Sequence, residues 1–265
     1  MNTDTALENI RECQAKVHRW GKANATKFDA DKESSHILSR LDNECHGEPF
    51  KNLGITFDAK LQMDIEINKL TIVAGWKIKR ILRGRRFFFD DEVVLQFKTF
   101  VWSGLEYRTI AIYHATETLL SKVGKLQTRF LHRLGYSEEP AFEKFKMAPL
   151  ELRRDIAMLG LIHKSVRGEA HPEFSKFFTL TLQARRSRTR LQNRRHLYQL
   201  DDQRNGQQLA VWERSIFGLV SIYNQLPERM VMNTTVRERQ GMLQFEAFQH
   251  MKTGRPNWKC IVVQA

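Results

Sequence analysis

Leu119-Leu120-Ser121-Lys122-Val123-Gly124-Lys125-Leu126-Gln127-Thr128-Arg129-Phe130-Leu131-His132-Arg133-Leu134-Gly135 decides how this chain is read. Leu119, Val123, Leu126, Phe130 and Leu134 recur at three- and four-residue spacing, which places them on one side of an α-helix. Gly135 supplies the left-handed residue on which such a helix stops. Arg129 and Arg133 fall four apart on another side, away from Leu126 and Phe130.

The same period extends in both directions. Upstream, Val93, Phe97, Val101 and Leu105 mark one helix, and Ile65, Ile72, Trp76 and Leu82 mark a longer one ending at Gly84. Downstream, Pro149 opens a helix that runs through Ile156, Leu159 and His163 to Gly168; proline lacks an N–H that the first turn would leave unused. Two further helices are expected around Leu209–Leu226, stopped by Pro227, and Val236–Met251. At the N-terminal end Leu7, Ile10, Val17 and Trp20 share a helical face, with Gly21 as its stop. Only Ser35–Leu38 and Lys51–Phe57 read as strands, being short, partly alternating and bounded by Asp, Asn and Gly. The expected fold is α+β and predominantly α-helical, with one small antiparallel hairpin within about 34–58 and almost unbroken helix over 60–165.

The chain is long enough to bury a real core as one large domain or two small ones. Its 42% apolar and 28% charged residues exclude wholesale disorder. Its net charge of +13 is unevenly spread. Residues 1–74 hold ten Lys and Arg against twelve Asp and Glu; residues 75–265 hold thirty-three against eighteen. A basic excess confined to one part suggests a polyanion, most simply RNA or DNA. Cys13, Cys45 and Cys260 are odd in number and widely spaced, with no secretory leader, so a disulfide framework and a zinc site are both disfavoured. No apolar run reaches the ~20 residues of a membrane span. The expectation is an intracellular protein, cytoplasmic or nuclear, with no membrane partner.

Two stretches depart from this pattern. Arg185, Arg186, Arg188, Arg190, Arg194 and Arg195 crowd a segment whose only large apolar residue is Leu191. Such a segment buries too little to offset its ordering entropy, and reads as a loop or arm. It is either a solvated linker or an arm on phosphates. Phe89-Asp90-Asp91 has the form of a metal-binding polymerase box, but Arg83-Gly84-Arg85-Arg86 precede it instead of an apolar strand, and helical period follows. Asp90 and Asp91 therefore suit a helix N-terminus. His132 and His163 read as structural histidines on helical faces, and Glu138, Glu139 and Glu151 as acids at helix starts.

Several motifs resemble one family. Phe28-Asp29-Ala30-Asp31-Lys32-Glu33 and Phe50-Lys51-Asn52-Leu53-Gly54-Ile55-Thr56-Phe57-Asp58 resemble the last two palm motifs of a reverse transcriptase. Trp20-Gly21-Lys22-Ala23-Asn24, Leu105-Glu106-Tyr107, Leu126–Gly135 and Ala148-Pro149-Leu150-Glu151-Leu152-Arg153-Arg154 are similar to blocks of LINE-type (non-LTR) retrotransposon polyproteins, in the same order. Arg214–Leu219 and Tyr223–Pro227 also look like an ending of such elements.

The resemblance implies a palm remnant at 1–60 (last palm helix, lysine motif, primer-grip hairpin), a helical thumb at 61–180, the Arg-rich arm at 181–206 and a C-terminal helical unit at 207–265. Lys32 would be the lysine that steadies or protonates the leaving pyrophosphate. Phe50, Leu53 and Gly54 would form the primer grip. Arg83, Arg85, Arg86, Lys125, Arg129 and Arg133 would line the thumb's nucleic-acid face, with the six arm arginines beside them. The paired aspartates that hold Mg2+ in the full-length family are expected upstream of Met1, so no metal or other cofactor is expected in this chain. The function implied is a polymerase fragment that binds primer-template without extending it. A repurposed basic helical RNA- or DNA-binding protein, or a non-functional retroelement remnant, remain as alternatives.

Overall fold

The computed structural model describes residues 3–29, 32–39, 47–181, 196–201, 209–232 and 235–252. The six arginines of the 185–195 segment lie outside them. The chain divides into two compact units, 1–68 and 69–265.

The first unit opens with α1 (Thr3–Ala23). It runs two residues past Gly21, the expected stop. Gly21 is buried under the Phe28 ring, and a Cβ there would lie 2.4 Å from Cε2 of Phe28. The chain continues to β1 (Phe50–Asn52) and β2 (Ile55–Phe57), paired antiparallel as Phe50↔Phe57, Lys51↔Thr56 and Asn52↔Ile55. Leu53 and Gly54 turn between them with φ of 48° and 83°. Both values are positive, which a two-residue hairpin needs to match the twist of its strands.

The hairpin thus lies wholly within 50–57. Ser35–Leu38, expected as the partner strand, makes only a single bridge at Ile37. The Leu-Gly turn folds Lys51–Phe57 back on itself and supplies the pairing locally. Past the hairpin, Asp58 accepts from the N–H groups of Gln62 and Met63, both at 2.9 Å, and the chain enters α2 (Asp64–Gly84). The carboxylate of Glu66, fully buried, accepts from the Thr56 N–H at 2.9 Å and ties that helix to β2.

α2 starts in the first unit and ends where expected, but the face it buries is not the expected one. Ile67, Leu70, Ala74, Ile78 and Ile81 are buried, whereas Ile65, Ile72 and Trp76 are exposed. The buried set repeats every three or four residues without interruption, and that unbroken stripe wins the interior.

The second unit continues through a 3-10 turn at Arg85–Phe87 to α3 (Asp90–Phe97), a π-helical turn (Lys98–Trp102), α4 (Ser103–Tyr107), α5 (Thr109–Ile112), α6 (Glu117–Leu134), α7 (Glu138–Phe145) and α8 (Leu150–Val166). Val93, Phe97, Val101 and Leu105 are buried as their spacing requires, and so are Val123, Leu126, Phe130 and Leu134 of α6. The rings of Phe97 and Phe130 stack with centroids 4.2 Å apart. Gly135, at φ 87°, ends α6. Pro149 sits just ahead of the first turn of α8.

The C-terminal segment adds α9 (Pro172–Ser175), α10 (Leu209–Arg214), a 3-10 turn at Ile216–Leu219, α11 (Val220–Gln225), α12 (Glu228–Val231) and α13 (Val236–Lys252). The single helix expected over Leu209–Leu226 is broken at Ser215, whose hydroxyl accepts from the Phe217 N–H and restarts the chain as a 3-10 turn. α13 packs along α8, where Gly160 lets Gln240 and Val236 approach. Between them lies a polar core. The Tyr223 hydroxyl and Nδ1 of His163 are 2.9 Å apart, and Nε2 of His196 donates to the Tyr223 carbonyl at 2.9 Å. Arg239 is buried beside them.

Candidate nucleic-acid interface

In the first unit, Lys32 is exposed in a turn, its ammonium 2.9 Å from the Asp29 carboxylate. The next residue, Glu33, accepts from Gln14 Nε2 at 2.5 Å and meets His18 Nε2 at 2.9 Å, both on α1. Those two bonds hold the Glu33 carboxyl below its ordinary value. Four residues beyond Lys32, His36 stacks on Phe50 at 4.2 Å, and Phe50 stacks on Phe57 at 5.5 Å. The lysine segment and the hairpin are therefore joined through a ladder of rings. Leu53, at the hairpin tip, is 80% exposed.

In the second unit, the six expected thumb cations separate into two kinds. Arg83, Arg86, Lys125, Arg129 and Arg133 are exposed, and none has a carboxylate partner among the described residues. Arg85 is different. Its guanidinium donates to the carbonyls of Arg133 at 2.6 Å and Leu134 at 3.2 Å, and lies 3.5 Å from Asp90. It closes the C-terminal end of α6, where helix carbonyls have no partners of their own. The end of α2 is thereby fixed beside the end of α6, and the two groups of cations are brought together.

Asp90 and Asp91 occupy the first turn of α3. The Asp90 carboxylate accepts from the Tyr136 hydroxyl at 3.0 Å, and that hydroxyl accepts from the Lys144 ammonium at 2.9 Å. Glu92 accepts from the Phe89 N–H at 2.9 Å. The acids serve a helix start.

The remaining motif blocks meet at a packing junction. Trp102 Nε1 donates to Gln127 Oε1 at 2.8 Å, and Gln127 Nε2 donates to the Ala148 carbonyl at 3.0 Å. Arg153 pairs with Glu106 and lies 3.9 Å over the Trp102 ring. Lys98 donates to the Phe145 carbonyl; burial, with Arg153 nearby, lowers its pKa. Glu106, Gln127, Ala148 and Arg153 thus hold α4, α6 and α8 in place.

Sequence reasoning missed one surface. Lys69, Ile72, Trp76, Lys79, Arg80 and Arg83 lie along the outer side of α2, opposite the buried stripe, and all are exposed. Trp76 and Ile72 read as core because apolar residues at helical spacing usually are. The available signal was that cations share their period, while Ile67, Leu70, Ala74, Ile78 and Ile81 already complete a core face. No family model, curated protein or solved structure matches this chain. Among the described residues no helix is long and apolar enough to cross a membrane.

Proposed function

We propose that this chain is the primer-grip and thumb portion of a LINE-type reverse transcriptase, and that it binds primer-template. The observation that carries this reading is the basic face at the junction of α2 and α6. Five exposed cations without a carboxylate partner among the described residues lie at the end of α2 and along α6, and Arg85 fixes the one helix end beside the other. Exposed cations that no carboxylate neutralises can pair with phosphates and release their counterions, giving strong binding of low sequence preference. Nothing on it has the form of a recognition helix.

The chemistry of this portion is holding nucleic acid; the nucleotidyl transfer of the family needs carboxylates that place Mg2+, and Asp90 is engaged at a helix start. Lys32 and the Phe50–Phe57 hairpin would face the primer end in the complete family enzyme. The test is fluorescence anisotropy of a labelled RNA–DNA primer-template at 50 and 200 mM salt. Five phosphate contacts predict a fall in affinity of about 500-fold over that interval. Binding that is weak at 50 mM, or indifferent to salt, would overturn the proposal.

A further inference from the structure

We infer that the outer stripe of α2, continued into Phe87, is a stacking platform for the unpaired bases of single-stranded nucleic acid. This rests on the nucleic-acid reading above and names the form of strand taken by one part of the surface. From Lys69 to Phe89 the chain holds seven Lys and Arg and no Asp or Glu. Within that acid-free stretch Trp76 is 60%, Phe87 71% and Phe89 82% exposed. Large rings left in solvent are not explained by packing, since the opposite side of α2 fills the core by itself.

The rings are also dressed with charge. The Lys79 ammonium lies 4.9 Å from the Trp76 centroid, and the Arg86 guanidinium 4.6 Å from that of Phe87. A cation over one face of an exposed ring leaves the other face for a base and offers its own charge to the phosphate. The stripe from Lys69 to Arg83 is about 21 Å long, room for several nucleotides of an extended strand.

Duplex does not fit this surface, because its base faces are already stacked on one another. A lipid surface fits less well. Cations interrupt the apolar residues along the whole stripe, whereas a helix lying in a membrane keeps one wide apolar face. Charge complementarity and exposed π faces together favour an unpaired strand.

The experiment compares two labelled strands with the full chain at one salt concentration: a twelve-nucleotide oligothymidine, and a twelve-unit abasic strand with the same phosphates. The oligothymidine should bind at least about tenfold more tightly. Trp76→Ala and Phe87→Ala should each weaken it by about five- to tenfold and leave the abasic strand unchanged, whereas Lys79→Ala with Arg83→Ala should weaken both. Both rings are exposed, so the variants should fold; should either not, the two-strand comparison on the unaltered chain decides alone. Equal affinity for the two strands overturns the inference. So does binding to phosphatidylserine vesicles that Trp76→Ala abolishes while base dependence is absent. If salt-dependent duplex binding persists in such a case, only the stacking inference fails. If no strand binds at all, the proposed function fails with it.

Discussion

Arg85 and its neighbours carry the same charge and should behave oppositely when removed. Arg85→Ala deletes two donors to the end carbonyls of α6, at 2.6 and 3.2 Å, and a more distant one to Asp90. Hydrogen bonds from a charged donor contribute about 1.5–3 kcal/mol, and partial exposure of this side chain lowers that, so a loss of about 1–2 kcal/mol is expected. In a chain of this size that corresponds to a fall in Tm of about 3–6 °C. The slope of log K against log salt should stay within about 0.5 of the parent, because Arg85 makes no phosphate contact. The converse variant replaces Arg83, Arg86, Lys125, Arg129 and Arg133 with Ala. Each is exposed, so Tm should change little, while a slope contribution of about −4.5 disappears. Thermal unfolding and anisotropy titrations at four salt concentrations read both quantities. An Arg85→Ala protein with unchanged Tm and a slope flattened by about one would refute the division of roles. An unchanged slope in the fivefold variant would remove the basic face from the binding surface.

Replacing the six arginines at 185, 186, 188, 190, 194 and 195 with Ala should flatten the same slope by several units if that segment contacts phosphate; an unchanged slope makes it a linker. Tyr113→Phe removes the donor 2.5 Å from the buried Asp155 carboxylate and should lower stability by about 1–3 kcal/mol in denaturant titrations; a change below about 0.5 would contradict the burial. His163 is pushed down to about 3 by burial, with Arg239, Arg167 and His196 adding repulsion, so the folded state keeps it neutral while the unfolded chain takes up a proton below about 6.5. Stability should therefore be full above that pH and lost as pH falls, by about 1.4 kcal/mol at pH 5.5 from this group alone; His163→Gln should remove that dependence, and an equal acid sensitivity in the variant would refute it. Purified chain with primer-template, nucleotides and Mg2+ should give no extension, and robust extension abolished by Asp90→Ala would overturn its assignment to a helix start.

The helices of the second unit were legible where one apolar stripe faces one polar stripe. Val93, Phe97, Val101 and Leu105, like Val123 through Leu134, offer no competing face, and the structure buries them. α2 was ambiguous because it carries two apolar stripes, and spacing alone does not say which one is covered. The hairpin was legible as a Leu-Gly turn, but its partner strand was misplaced: strand pairing is decided by the turn's backbone, not by the apolar pattern of a distant segment. Arg85 looked like any other member of a basic cluster, since a sequence does not reveal that a helix 48 residues away ends beneath it. The stop at Ser215 competes with good helical period on both sides and shows only once its hydroxyl meets the Phe217 N–H.

The π-helical turn at Lys98–Trp102 bears on insertions and deletions. The Ser103 N–H reaches back five residues to the Lys98 carbonyl, so this turn holds one residue more than an α-helix would. Upstream of it Phe97 stacks on Phe130 of α6; downstream, Trp102 still reaches Gln127 and Leu105 is still buried. Removing a residue here would restore α-helical bonding yet rotate everything after it by about 100°. Trp102 would swing away from Gln127, and Glu106 away from Arg153. Phe100 is exposed and tolerates other side chains, and Thr99, exposed too, spends its hydroxyl only on the Leu95 carbonyl at 2.9 Å, but neither residue can be lost. At this point in the chain, length is constrained more tightly than composition.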